Sequence, residues 1–123
     1  MTDKPEIDFP DSPPPTELDI TDITVGDGAE ATSGATVVAH YVGVAHSSGE
    51  EFDASYNRGE PLAFKLGVGQ VITGWDQGIE GMRVGGRRQL VIPPHLGYGD
   101  RGAGSAIAPG ETLIFVVDLV DVR

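Results

Sequence analysis

No cysteine occurs anywhere in the chain, so a disulfide framework, a Cys-based zinc site and an iron-sulfur cluster are all excluded, and the fold must stand on packing alone. Basic residues are scarce as well: eight Lys and Arg stand against 19 Asp and Glu, a formal net charge of -11. Nucleic-acid binding draws most of its affinity from Lys and Arg neutralising phosphates, so this balance disfavours nucleic acid as a partner. Long apolar runs are missing too. The longest, Leu113 to Val117, is far short of the roughly 20 residues that span a bilayer, and no membrane role is expected. The start carries Asp3, Lys4, Glu6 and Asp8 instead of the basic-then-apolar pattern of a secretory leader, so a cytoplasmic location is expected.

What is present fits one soluble domain. At 123 residues the chain encloses one hydrophobic core and leaves no room for two. Its 18 glycines and 9 prolines point to many turns. The acidity is concentrated at the start: residues 1–30 hold nine acids against Lys4 alone, whereas the rest is nearly balanced. Residues 1–16 combine these acids with Pro5, Pro10 and Pro13-Pro14-Pro15, a composition that buries too little apolar surface to offset its ordering entropy. They read as a mobile, solubilising tail, and residues 17–123 as the domain. Nothing in the sequence calls for a dimer, and a monomer is expected.

Alternating polarity over Leu18, Ile20 and Ile23 marks a first strand. The Val-rich stretch Thr36 to Ala45, the turn Ser47-Ser48-Gly49-Glu50 and Glu51-Phe52-Asp53 read as a hairpin. Leu62, Phe64 and Leu66 mark another strand, Arg87 to Ile92 a further one stopped by Pro93-Pro94, and Thr112 to Val122 the last. Ile72, Trp75, Ile79 and Met82 recur at three- and four-residue steps, which predicts one short helix. Gly74, Gly78 and Gly81 each cost about 1 kcal/mol of helix propensity relative to Ala, so tertiary packing must hold it, against the sheet. Residues 93–111 have no period, and a structureless stretch of that length inside a compact domain is usually functional. Strands joined by short turns around one helix give the class α+β with a mostly antiparallel sheet.

Several kinds of chemistry find little support. Gly67-Val68-Gly69 lacks the third glycine and the βαβ unit of a dinucleotide loop. His40, His46 and His95 have no metal-ligand spacing, so no metal is expected, and His40 reads as a strand residue satisfied by hydrogen bonds. No serine stands in a nucleophile-elbow context. Asp53 and Asp76 are a formal pair for glycoside hydrolysis, with no separation readable from sequence. What remains is an aromatic inventory on or beside the ends of the elements: Tyr41, Phe52, Tyr56, Phe64, Trp75, Tyr98 and Phe115. Core filling accounts for Phe64 and Phe115 at least as well as a binding role does. Trp75, the sole tryptophan, lies among glycines that let other groups approach closely.

Those residues resemble the FKBP-type immunophilin isomerases over about residues 18 to 123. The resemblance rests on Val38-Ala39-His40-Tyr41-Val42-Gly43, Phe52-Asp53-Ala54-Ser55, Val71-Ile72-Thr73-Gly74-Trp75 and Gly81-Met82-Arg83-Val84-Gly85-Gly86. Ile92-Pro93-Pro94, Leu96-Gly97-Tyr98-Gly99 and Thr112-Leu113-Ile114-Phe115 continue it in family order. It implies a five-stranded antiparallel half-barrel wrapped around one short helix, and peptidyl-prolyl cis-trans isomerase activity without a cofactor.

Carried over position by position, the resemblance puts Trp75 at the floor of a pocket with Tyr41, Phe52, Val71, Ile72, Tyr98, Ile107 and Phe115 as walls. Leu62 takes a substrate-binding position where many members carry an aromatic, and Ala103 stands where a larger loop side chain is frequent. Asp53 and the Tyr98 hydroxyl are the implied polar groups, with the Ile72 N–H donating to a substrate carbonyl. For Asp53, accepting structural hydrogen bonds from Tyr41 or an arginine is an equally good reading. The implied partners are proline-containing peptides and unfolded segments, with macrolides as further occupants of the pocket. The rival from another class is a chaperone module that binds such segments without accelerating them; Trp75, Phe52, Asp53 and Tyr98 together favour the enzyme.

Overall fold

The computed structural model describes residues 4, 5, 7, 13–103 and 107–123. Much of the expected tail, residues 1–3, 6 and 8–12, lies outside the described residues. The elements run β1 (Asp19–Thr24), β2 (Thr36–Ala45), β3 (Glu51–Ala54), β4 (Leu62–Lys65), α1 (Thr73–Ile79), β5 (Arg87–Ile92) and β6 (Leu113–Val122). Paired strands are antiparallel, in the order β1-β5-β6-β2-β3, with β4 also on β2.

The edge partner of β2 comes as two short strands, at the two segments that the sequence marks separately. Thr36–Ala39 pair with β4, and Val42–Val44 with β3. Between them the chain leaves the sheet in a 3₁₀ turn, Ser55–Arg58. The fully buried Ser55 fills the gap: its hydroxyl accepts the Tyr41 N–H at 2.7 Å and lies 3.4 Å from the Tyr41 carbonyl. The ladder bond missing at this point is replaced by a side chain, as a buried backbone donor requires.

The helix is shorter than the apolar stripe suggests. Ile72 precedes it and Met82 follows it, because Glu80 has left the helical region and Gly81 adopts φ +90°. Met82 stays buried, its N–H bonded to the Ile79 carbonyl at 3.0 Å. The glycines of α1 are explained by its packing. A Cβ on Gly74 would lie 2.6 Å from Ile92 Cγ2, and one on Gly78 would lie 2.7 Å from Leu90 Cδ2. The helix therefore rests directly on β5. The propensity that the two glycines forfeit, about 1 kcal/mol each, is offset by burying Trp75 and Ile79 at about 1.5–3 kcal/mol per large side chain.

The inward faces of the strands close the core: Val37, Ala39 and Tyr41 from β2, Leu90 and Ile92 from β5, and Leu113, Phe115, Val117 and Leu119 from β6. The outward faces of β2 and β6 are buried as well, with His40 opposite Asp118, Val42 opposite Val116 and Val44 opposite Ile114. Asp118, with no exposed surface, accepts from Arg87 Nε at 2.6 Å and from the Tyr56 hydroxyl. His40 stacks on the Tyr56 ring, centroids 4.5 Å apart, and its Nδ1 meets the Ser55 hydroxyl at 2.8 Å.

Candidate active site

The concave side of the sheet holds a cavity of about 390 Å³, within the size range of small-ligand sites. Trp75, on the first turn of α1, forms the floor, and Tyr41 and Phe115 from adjacent strands stand beside it. The rings meet nearly at right angles: Tyr41 to Trp75 at 4.9 Å and 79°, Trp75 to Phe115 at 5.2 Å and 84°, and Phe52 to Phe115 at 5.4 Å and 89°. Edge-to-face contact suits the aromatic quadrupole and locks each ring against the next. Gly43 makes this packing possible, since a Cβ there would lie 2.6 Å from Phe115 and 2.7 Å from Phe52. The Trp75 indole N–H is buried with no partner among the described residues, so ring packing and not hydrogen bonding holds the floor.

Val71 and Ile72 enter the cavity from the turn that leads into α1. Asp76 ties that turn down by accepting the N–H groups of Gly67 and Gly69 at 2.8 and 3.1 Å. The Ile72 carbonyl is used by Trp75 N at 2.9 Å, whereas its N–H has no acceptor among the described residues. Leu62, opening β4, completes the apolar wall.

The polar groups lie at the rim. Asp53 Oδ2 accepts from the Tyr41 hydroxyl at 2.5 Å, Asp53 Oδ1 accepts from Arg58 at 2.7 Å, and a second Arg58 nitrogen reaches the Tyr41 oxygen at 2.8 Å. Both carboxylate oxygens are engaged, so the structural reading of Asp53 describes its contacts, and the formal pairing with Asp76 for hydrolysis finds both acids bound to protein donors. Burial first, then the neighbouring Asp53 carboxylate, raises the Tyr41 pKa above its usual value. The hydrogen bonds that Arg58 donates to Tyr41 and Asp53 raise its own pKa. Tyr98, half in solvent, reaches the cavity from the loop between β5 and β6.

Nine of the ten residues singled out from the sequence line this one cavity: Tyr41, Phe52, Asp53, Leu62, Val71, Ile72, Trp75, Tyr98 and Phe115. Ile107 is not among the residues lining it; it lies in the core cluster with Tyr41, Trp75 and Phe115, 5% exposed, and is held by paired backbone bonds with Ala103 at 2.9 and 3.1 Å. Sequence reasoning missed Gln70, which lines the cavity while its Oε1 accepts the Lys65 N–H at 2.8 Å. It also missed Arg58, whose only signal is its place five residues after Asp53, on the turn that interrupts the edge. Among the described residues, no group of three or more His, Asp or Glu is arranged to hold a metal ion.

Residues 28–120 match the family model of the FKBP-type peptidyl-prolyl cis-trans isomerase. The chain belongs to this family of isomerases. An FK506-binding protein of Streptomyces anulatus is 69% identical over 121 residues, covering 98% of each chain. The peptidyl-prolyl cis-trans isomerase FPR2 of Saccharomyces cerevisiae is 53% identical over 94 residues, 76% of this chain and 70% of its own. The crystal structure of AtFKBP13 superposes with a TM-score of 0.80 at 47% identity, covering 86% of this chain and 93% of that one. The FKBP fold and peptidyl-prolyl isomerase activity follow, and the cavity is the place in this molecule to look for that activity.

Proposed function

We propose that this FKBP accelerates X-Pro rotation by drawing the prolyl amide out of water into the ring-walled cavity above Trp75. The barrier in water is about 18–20 kcal/mol because rotation breaks amide resonance, and uncatalysed exchange takes on the order of tens to hundreds of seconds. No covalent bond is made or broken, so no nucleophile is required. In the twisted state the nitrogen is no longer conjugated and the carbonyl loses dipole, so exclusion of water favours that state over the planar one. The observation that carries this reading is the separation of polarity: five aromatic rings and three aliphatic side chains wall the cavity, while the charge of Asp53 is spent on Tyr41 and Arg58 at its rim.

In this reading the Ile72 N–H and the Tyr98 hydroxyl donate to carbonyls flanking the proline, fixing the peptide while the amide turns. Asp53 and Arg58 act by holding Tyr41. Substrates are proline-containing peptides and unfolded segments, and macrolides occupy the same cavity, as the names of the FK506-binding relatives suggest.

The test is magnetisation-exchange NMR on a short Ala-Leu-Pro-Phe peptide with and without the protein. Saturable acceleration that FK506 abolishes is the expected result. A bound peptide with unchanged exchange would replace the enzyme by the binding-module reading.

A further inference from the structure

Along Val42–Val44 and Ile114–Val116 the sheet is buried on both faces, and among the described residues one α-helix, α1, covers the inward one. Trp75 and Ile79 of α1 lie with the inward core, which also takes Tyr41, Phe115 and Val117, yet the outward residues Val42, Val44, Ile114 and Val116 are only 2%, 5%, 4% and 1% exposed. These four form a contiguous apolar stripe, because Val42 faces Val116 and Val44 faces Ile114 across the β2–β6 ladder. An antiparallel sheet commonly leaves one face to solvent and alternates polar residues along it. Here β2 and β6 carry apolar residues on both faces, which requires a second covering layer.

Pro5, Ile7 and Lys4 meet the β2 half of that stripe, lining a second cavity together with Val42, Val44 and Glu51. Lys4 Nζ sits 2.8 Å from Glu51 Oε1 and donates to Asn57 Oδ1 at 3.0 Å, while Asn57 also donates to Glu51 at 2.9 Å. Charge makes the contact selective, because Lys4 is the only base among the first 30 residues and the carboxylate it meets belongs to the edge strand β3. Pro5 suits the place as well: it has no N–H that would be left unpaired against an apolar surface.

We propose that the outer face of β2 and β6 is an interaction surface whose resident partner is the chain's own N-terminal segment, seated through Pro5 and Ile7 and clamped by Lys4 on Glu51 and Asn57. The segment that carries Lys4, Pro5 and Ile7 is then a strap and not a passive tail. Because the face lies across the sheet from the Trp75 cavity, the strap contributes to stability and solubility without entering catalysis.

Methyl-labelled, full-length protein tests this. Nuclear Overhauser contacts between Ile7 and the Val42 and Val44 methyls are expected, as are shifts of those methyls in Ile7→Asp and a thermal midpoint lowered by several degrees at unchanged isomerase rate. A water-soluble carbodiimide is expected to join Lys4 to Glu51, and Lys4→Ala to remove that cross-link. Absence of the Ile7 contacts, together with valine methyls that are identical in wild type and Ile7→Asp, would overturn the proposal. So would a cross-linked fraction no greater than that of other exposed acids.

Discussion

Gly43 faces Phe115 across the β2–β6 ladder, and the space of its missing side chain is filled by the edges of Phe115 and Phe52. Gly43→Ala therefore has to displace two rings of the cavity wall, at a packing cost of about 1–3 kcal/mol. A shift on the order of 1 Å in such a wall reduces turnover on the order of a hundred-fold. The expected outcome is a folded protein with near-native circular dichroism and a much reduced kcat/KM for a Leu-Pro peptide. Native turnover in that variant would show that Phe52 and Phe115 do not shape the reacting space. The tyrosines give a pH prediction. Burial and an adjacent carboxylate raise the pKa of both Tyr41 and Tyr56 above 10. The folded state thus holds their protonated forms, so the stability they contribute is full below pH 10 and is lost as pH rises through their folded-state values. Titration of tyrosinate absorbance should show the Tyr41 and Tyr56 phenols ionising late, together with unfolding. Their ionisation near pH 10 in a native fold would contradict the Asp53 and Asp118 contacts.

At the scale of elements, α1 shows propensity losing to packing. Alanine at position 74 would gain about 1 kcal/mol of intrinsic helix preference, yet its Cβ would press on Ile92, which is β-branched, stiff and fully buried. Overpacking costs about 1–3 kcal/mol, and the larger effect wins. Urea unfolding of Gly74→Ala should show a lower midpoint with an unchanged slope; a raised midpoint would mean that the helix does not rest on β5. The same element shows what a sequence reveals and what it hides. The stripe Ile72, Trp75, Ile79 and Met82 marks the helix and its buried side, but not its end, because Met82 is buried by a turn at Gly81 that gives the same period. The strands Thr36–Ala45 and Arg87–Ile92 were legible to the residue, since apolar and β-branched residues dominate them and turns or prolines bound them. The contact that fills the gap between β3 and β4 was not. It depends on one serine hydroxyl replacing a backbone partner across 14 positions of sequence, a long-range contact without a local pattern.

At the scale of the molecule, the fold assembles an aromatic-walled cavity on one side of a sheet and keeps its ionic contacts at the rim, Asp53 with Arg58, or across the sheet, Asp118 with Arg87. Most of the cavity was legible because aromatic residues at strand ends leave a compositional mark and the family resemblance orders them. Gln70 escaped because a turn glutamine carries no such mark. In the proposed function the twisted amide is stabilised by desolvation and fixed hydrogen bonds, with no proton changing place at the reacting centre. Comparing catalysed exchange of the Leu-Pro peptide in H₂O and D₂O, at matched saturation, tests it most directly. A rate ratio near one is predicted; catalysis that slows several-fold in D₂O would put a proton transfer in the rate-limiting step and contradict the account.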